Sequence, residues 1–381
     1  MSPVVVSPHN RCWVDLEALA WNLAELRAGL PRGVRVAGVV KADAYGHGLL
    51  PVARRLKAAG AEALAVALVG EAAALRRGGV AGPILVLLGL APGEARRAAE
   101  MGLTPVLYRR EDLAAFAAAG RAAGREVACH LKVDTGMGRL GVTPAEALEV
   151  LAWSREQEGL VVSGLVSHLA TSGDPESALA KRQAALFDEL LTEARARGFV
   201  LADSSLCGSG GALAPPPAAP GPPALVRLGV SLYGGLPDPA SAGVARLAGV
   251  MSYQSRLISV KPVAAGATVS YGATWTAPAD TWLGVVPAGY AEGYPRAASG
   301  RAWMLVDGQR VPVRGRVCMN LTVVDMGGLA RIPAVGAPVV LLGRQGADEI
   351  GLEELAGWAD TIGYEVTCRL GAANRRRYRR A

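Results

Sequence analysis

Val34-Arg35-Val36-Ala37-Gly38-Val39-Val40, followed directly by Lys41-Ala42-Asp43-Ala44-Tyr45-Gly46-His47-Gly48, is the stretch on which the architecture turns. The first seven residues are apolar apart from Arg35, and four of them are valine, which reads as a buried strand. From Leu50 to Ala59 the apolar residues Val52, Ala53 and Leu56 recur at helical spacing, and Gly60 supplies the stop. Between strand and helix lies a glycine-flanked loop, and a single lysine stands where the strand ends. A lysine at that joint points out of a packed core toward a ligand. Desolvation there lowers its pKa and makes it a usable amine nucleophile or base. A solvated lysine at a strand end is the ordinary alternative.

The same alternation recurs along the chain. Strand-like runs fall at Val34–Val40, Ala63–Val69, Ile84–Leu88, Thr104–Leu107, Val127–Val133, Val161–Val166, Phe199–Ala202 and Leu225–Val230, with alanine-rich helical segments such as Ala145–Trp153 between them. A further helix, Leu16–Leu30, precedes the first strand and carries Leu16, Leu19, Leu23, Leu26 and Leu30 as a stripe. Eight alternations over roughly 200 residues match an α/β architecture of the (β/α)8 TIM-type barrel. A doubly wound open sheet is the runner-up, but no GxGxxG follows the first strand. A barrel places its active site at the C-terminal ends of its strands. Lys41, Asp134-Thr135-Gly136, His168, Ser209 in a glycine-rich loop, and Arg227 with Gly229 all fall at or near such ends.

Beyond about residue 240 the texture changes to short β-like runs separated by Gly, Pro and Asp turns, among them Met251–Val260, Trp282–Val286, Trp303–Val306 and Ala337–Leu342. The expected organisation is a barrel over residues 1–242 and a β-rich domain over residues 243–381. The proline-rich segment Ala214–Pro223 reads as a stiff surface loop inside the barrel half.

Composition narrows the class. The chain has 381 residues, half of them hydrophobic, and no apolar run approaches the roughly 18 residues of a membrane span. The start, MSPVVVSPHN, lacks the basic head and long apolar core of a signal peptide. The five cysteines form no CxxC and the histidines number four, so a metal site has little support; no metal is expected. An odd thiol count without an export signal points to reduced cysteines in the cytoplasm. The formal net charge of +7 is concentrated at the end, where Arg375, Arg376, Arg377, Arg379 and Arg380 account for five. With no aromatic interleaving or nucleic-acid motif beside them, they read as a solvated tail, with no nucleic-acid partner.

Several further motifs stand in order along the chain: Leu131-Lys132-Val133-Asp134-Thr135-Gly136-Met137-Gly138-Arg139-Leu140-Gly141, Ser167-His168-Leu169-Ala170, Val226-Arg227-Leu228-Gly229, Val269-Ser270-Tyr271-Gly272, Ala288-Gly289-Tyr290-Ala291-Glu292-Gly293-Tyr294, Gly315-Arg316-Val317-Cys318-Met319-Asn320 and Tyr364-Glu365-Val366. Together with the lysine loop they cover nearly the whole chain, and in that order they resemble the alanine racemases. The resemblance implies pyridoxal phosphate carried covalently on Lys41, and proton transfer by two bases, Lys41 on one face of the substrate and Tyr271 of a partner subunit on the other. It implies a homodimer with shared active sites and no membrane partner. It also implies a role for alanine as the substrate, with D-alanine supplied to peptidoglycan. Cofactor contacts are expected from Tyr45, Ser209, Gly229, Val230 and Tyr364 at the phosphate and from Arg227 at the pyridine nitrogen, with His168 in the network beside it. Arg139 and the backbone of Met319 would meet the substrate carboxylate. Tyr290 would line the access corridor, and Lys132 aligns with a lysine that is carbamylated in many members.

The chain also departs from the pattern. Asn320 stands where Asp is usual, Glu292 replaces a common Asp, Gly208 precedes the phosphate serine in place of Asn, and Ser205 occupies a place where histidine is frequent. Two neighbouring readings remain open on residues alone: a racemase of serine, lysine or several amino acids, and a non-catalytic pyridoxal-phosphate carrier. The second would lack the β-rich half and Tyr271. A fold-related decarboxylase would need a different set of residues in that half.

Overall fold

The computed structural model describes residues 7–172, 174, 176–214 and 224–379. The expected loop 214–223 therefore lies outside the described residues except for Ala214.

The first strand, β1 (Arg11–Asp15), runs into the helix Leu16–Ala28. Asp15 caps that helix: its Oδ1 accepts the N–H groups of Glu17 and Ala18, both at 2.9 Å, which satisfies donors the helix leaves unpaired. Leu16, Leu19, Leu23 and Leu26 of the expected stripe are buried. There follow β2 (Arg35–Val39), β3 (Ala63–Val66), β4 (Ile84–Val86), β5 (Thr104–Leu107), β6 (Val127–Lys132), β7 (Leu160–Val166) and β8 (Leu225–Leu228). These seven strands form one parallel sheet in the order β7-β6-β5-β4-β3-β2-β8. Their helices cover the outer face, as in the pair Leu49–Ala58 and Pro144–Ser154.

The expected strand Phe199–Ala202 is not a strand; those residues lie in loop and turn. The eighth staves position is taken a few residues later. Ser205 sits in a parallel bridge with Val166, its N–H donating to Leu165 O at 2.8 Å and its carbonyl accepting from Ser167 at 3.0 Å. The Arg227 N–H donates to Cys207 O at 3.0 Å. Ser205–Cys207 thus bridges β7 and β8 and closes the ring. Phe199 packs half-buried against the barrel core, and the Arg155 guanidinium covers its ring at 3.8 Å.

The second sheet is built from β9 (Met251–Arg256), β10 (Ser259–Val263), β13 (Thr281–Val286), β14 (Trp303–Val306), β15 (Gln309–Arg314), β16 (Thr322–Asp325), β17 (Pro338–Gln345), β18 (Asp348–Ile350) and β19 (Arg376–Arg379), with a small ribbon of β11 (Thr268–Val269) and β12 (Trp275–Thr276). Two features cross the expected organisation. β1, a strand not expected from sequence, belongs to this sheet, antiparallel to β9 and parallel to β19, although it precedes the barrel in the chain. Within the arginine-rich end, expected to be a solvated tail, Arg376–Arg379 is a strand, β19, opposite Cys12–Asp15, with Arg377–Arg379 still exposed; Arg380 lies outside the described residues. The guanidinium groups of Arg377 and Arg379 lie over the Trp13 ring at 5.7 and 4.6 Å. Cation–π contact thus supplies the packing that an apolar strand would draw from its own side chains. Two helices, Leu352–Trp358 and Gly363–Ala373, also stand in the region expected to be β-rich. Each half has its own buried core. Among the described residues no helix is long and apolar enough to cross a membrane.

Candidate active site

The lysine loop is the most constrained backbone in the barrel. Ala42, Asp43, Ala44 and Tyr45 all have positive φ, between 53° and 56°, so four consecutive side-chain-bearing residues form a left-handed turn. At roughly 1–2 kcal/mol per residue, such a turn costs on the order of 4–8 kcal/mol, and only its surroundings can hold it. Inside the turn, the N–H of Ala44 donates to Val40 O and that of Gly46 to Ala42 O, at 2.9 and 3.0 Å. From one side Glu71 accepts the Ala42 N–H at 2.7 Å with one oxygen and the Ala67 N–H at 2.8 Å with the other. Beneath, the buried His47 donates from Nδ1 to the carbonyls of Ala44 and Tyr45, each at 3.0 Å. Burial pulls its pKa down to about 4, so the ring is neutral near pH 7.

Around this turn, Lys41, Tyr45, Lys132, Arg139, His168, Ser209, Arg227, Gly229, Val230 and Tyr364 all line one cavity of about 350 Å³ at the C-terminal ends of the strands. All ten were expected from sequence. The lining contains no aspartate or glutamate, so Lys41, Lys132, Arg139 and Arg227 present positive charge to whatever enters. Lys41 is held below its ordinary pKa by burial and by Arg139. Lys132 is pulled down to about 7 by burial and by Arg227, and its Nζ is buried without a hydrogen-bond partner among the described residues.

Arg227 rises from β8 into the cavity floor. Its Nη1 donates to Ser205 O at 2.9 Å and also to Ser205 Oγ, and its Nη2 donates to Ser167 O at 2.7 Å and Leu206 O at 3.2 Å. Burial lowers its pKa to about 10, which leaves it charged near neutrality. His168 Nδ1 lies 3.4 Å from Arg227 Nη2. Burial and Arg227, followed by the other cations, pull the His168 pKa to about 3. His168 is therefore neutral near pH 7, and the positive charge beside it resides on Arg227.

The phosphate end has hydroxyls and close backbone. Ser209 opens the short helix Ser209–Leu213, and its Oγ accepts the Gly229 N–H at 2.9 Å. Tyr45 packs against Tyr364 with ring centroids 5.9 Å apart, and a Cβ at Gly229 would meet the Tyr45 hydroxyl at 2.7 Å. Arg139 sits at the end of a loop organised by Asp134, whose Oδ1 accepts the N–H groups of Gly136, Met137 and Gly138 and whose Oδ2 accepts that of Arg139.

Tyr271, Tyr290 and Met319 do not line this cavity. They project from the β-rich half and are 72%, 44% and 56% exposed. They are nevertheless held together. The N–H of Tyr290 donates to Cys318 O at 3.2 Å and that of Ala291 to Met319 O at 2.9 Å. Ser270, beside Tyr271, donates from Oγ to Arg316 O at 2.7 Å. Asn320 donates to Glu292 Oε1 at 2.7 Å while Glu292 Oε2 accepts the Gly289 N–H at 2.9 Å, so two of the four departures from the expected pattern meet in one hydrogen bond. A second cavity, of about 440 Å³, lies between the halves behind Trp13 and Tyr233 and contains none of the expected site residues.

Glu71 shapes the site without having been singled out for it, and Asp134 and Ser205, noted in sequence, turn out to organise the Arg139 loop and to hold Arg227. Glu71 reaches the lysine loop from the helix after the next strand, a contact that spacing does not encode.

A barrel with a desolvated lysine at a strand end, facing a carboxylate-free cavity, defines a lysine-centred enzyme. The comparisons specify it. Residues 14–237 match the family model for the alanine racemase N-terminal domain, and residues 250–378 the model for the C-terminal domain. The chain is 39% identical over 360 residues to an alanine racemase of Symbiobacterium thermophilum, covering 93% of each. It superposes with a TM-score of 0.91 and 34% identity on alanine racemase from a D-cycloserine-producing Streptomyces lavendulae, covering 100% of this chain and 98% of that one. With alanine racemase from Bartonella henselae, solved with covalently bound pyridoxal phosphate, the TM-score is 0.86 at 25% identity, covering 98% of this chain and 100% of that one. The chain belongs to the alanine racemase family, a family of pyridoxal-phosphate-dependent isomerases, and its barrel-plus-β architecture is the family's.

Proposed function

We propose that this protein interconverts L- and D-alanine with pyridoxal phosphate bound in the 350 Å³ cavity, and that it works as a homodimer. The observation that carries the reading is the split of the expected residues. Ten meet in the carboxylate-free cavity, while Tyr271 stands apart and exposed on the β-rich half, where a second copy could present it.

The cavity suits the cofactor on its own chemistry. An anionic phosphate finds the Ser209 and Tyr364 hydroxyls and the backbone at Gly229–Val230, with Tyr45 beside them. When bound, pyridoxal phosphate delocalises the electron pair left by removal of an α-proton. Everything else falls to the chain. Lys41 Nζ, deprotonated more readily because it is desolvated, takes or returns the α-proton on one face. Tyr271 Oη from the partner does so on the other. Arg227, charged near neutrality, would face the pyridine nitrogen and keep it unprotonated, which moderates carbanion stabilisation and disfavours side reactions. Neutral His168 accepts from Arg227 at Nδ1 and so presents its other nitrogen as an N–H donor. Arg139 offers two parallel N–H groups to the substrate carboxylate, joined by the Met319 backbone of the partner. Tyr290 of the second copy lines the access corridor. A carbamate on Lys132 would place a negative charge beside Arg139 and Arg227; the lowered pKa, which leaves a free amine to attack carbon dioxide, favours it. A barrel over 1–242 and a β-rich domain over 243–381, with β1 lent to the second sheet, is the domain division we favour. Five free cysteines fit a cytoplasmic enzyme that feeds D-alanine to peptidoglycan.

The test is incubation with L-alanine and pyridoxal phosphate in D2O. Deuterium entering the α-position while the enantiomers drift to equal amounts is the expected result. No exchange with cofactor bound would exclude alanine as the substrate.

A further inference from the structure

We propose that Arg376 is a positioning residue for the lysine loop, and that β19 is a latch that keeps Lys41 in place through Asp43. The proposal rests on Lys41 being the cofactor lysine. Asp43 lies in the middle of the left-handed turn, two residues after Lys41. Both of its carboxylate oxygens are used: Oδ1 accepts the Leu49 N–H at 2.7 Å, and Oδ2 pairs with the Arg376 guanidinium. The same Arg376 Nη1 reaches Gly46 O at 3.1 Å. One guanidinium therefore ties the inside of the turn to its end.

The surrounding contacts leave the loop no slack on that side. A Cβ at Gly46 would meet Thr367 O at 2.2 Å, and one at Gly371 would meet Gly46 O at 1.9 Å, so the helix Gly363–Ala373 lies directly on the loop backbone. A Cβ at Gly48 would meet the Tyr378 hydroxyl, two residues along β19 from Arg376, at 2.0 Å. A turn with no local preference for its own conformation depends on such contacts. Yet β19 is an edge strand of four residues paired only with β1. Short, edge-placed elements open before the core does. The strand that secures the loop is thus among the first parts of the fold to fray, and its opening frees Asp43.

The experiment compares wild type with Arg376→Ala, Arg376→Lys, Asp43→Asn and the Arg376→Ala/Asp43→Asn double variant. The first readout, on apoprotein, is hydrogen exchange of the amides of Ala44, Gly46, His47 and Gly48. The second is the rate at which holoprotein loses pyridoxal phosphate on dilution into a scavenger. Arg376→Ala is expected to speed loop exchange and cofactor loss about tenfold, with amides of β4–β6 unchanged. Arg376→Lys should recover part of the effect, and the double variant should match Arg376→Ala alone. Loop exchange within twofold of wild type in both Arg376→Lys and Asp43→Asn, or single effects that multiply in the double variant, would overturn the latch. Faster loop exchange with unchanged cofactor loss would uphold the latch and overturn the assignment of Lys41. If Arg376→Ala does not fold, Arg376→Lys and Asp43→Asn decide the matter by the same criteria.

Discussion

Removing the Asp134 carboxylate probes what substrate positioning contributes, because all four of its side-chain hydrogen bonds go to the loop leading to Arg139. Three N–H groups, from Gly136, Met137 and Gly138, meet Oδ1 at 2.8–3.1 Å, and the Arg139 N–H meets Oδ2 at 3.1 Å. A charged acceptor gains about 1.5–3 kcal/mol per bond when buried, but Asp134 is only partly buried, so about 0.5 kcal/mol per bond is the appropriate figure. Four bonds give about 2 kcal/mol, or about 30-fold in the population of the ordered loop. Asp134→Ala should therefore raise the KM for L-alanine about 30-fold while kcat falls less than about threefold, since neither Lys41 nor Tyr271 hangs from this loop. Asp134→Asn keeps an oxygen for the three bonds to Oδ1 but loses the charge and the fourth bond, so its KM should rise only about fivefold. The four N–H groups hold the carboxyl below its ordinary pKa, against the opposing effect of desolvation. Its contribution is then fully present above the unfolded value near 3.9 and is lost as pH falls through the lower folded value. The ratio of wild-type to variant KM should be flat across the neutral range and narrow only in acid. Initial-rate measurements against L-alanine concentration decide it. An unchanged KM in Asp134→Ala, or a large fall in kcat with KM flat, would refute the reasoning.

Tyr271→Phe should retain pyridoxal phosphate, seen in its visible absorbance, yet lose at least about a hundredfold in racemisation; near-normal turnover would remove Tyr271 from the proton path. Mixing inactive Lys41→Ala with inactive Tyr271→Phe and letting subunits exchange should restore about a quarter of wild-type activity, because half the dimers are mixed and each has one intact shared site. Complementation that stays at zero after confirmed exchange would contradict sharing. Incubation with 13C-bicarbonate above pH 7, where Lys132 is largely neutral, should give a carbamate resonance that is absent from Lys132→Arg and fades as pH falls. Gly48→Ala forces a Cβ to within 2.0 Å of the Tyr378 hydroxyl at a φ of +100°; a melting temperature lowered by several degrees is expected, and an unaltered one would show that β19 yields freely.

The chemistry of the site was far more legible than its support. Lys41, Arg139, His168 and Arg227 could be placed because apolar strands announce their own ends, and a barrel collects those ends at one mouth. The left-handed conformation of Ala42–Tyr45 left little trace, since of its four residues only Asp43 is of a type enriched at positive φ. β19 escaped because hydrophobic periodicity is what marks a strand, and Arg376-Arg377-Tyr378-Arg379 has none; its packing comes from arginine stacked on Trp13. Phe199–Ala202 misled in the opposite sense, as an apolar run that lies in loop and turn, its phenylalanine packed on the core and capped by Arg155. The helix Gly363–Ala373 was hidden by its place among short strands, although its tyrosine, Tyr364, was found.

The parallel pairing of β1 with β19 sets Cys12 opposite Arg376, and that arrangement governs how the polypeptide comes together as it is made. Every residue between those two strands must leave the ribosome before the second sheet can acquire its outermost member. Until then β1 waits with one open side, exposed to pairing with neighbouring chains. The barrel, whose contacts are closer in sequence, can assemble first, but its lysine loop gains its last support only when Arg376 arrives. A chain broken short of β19 would therefore leave both β1 and the Asp43 carboxylate without these partners.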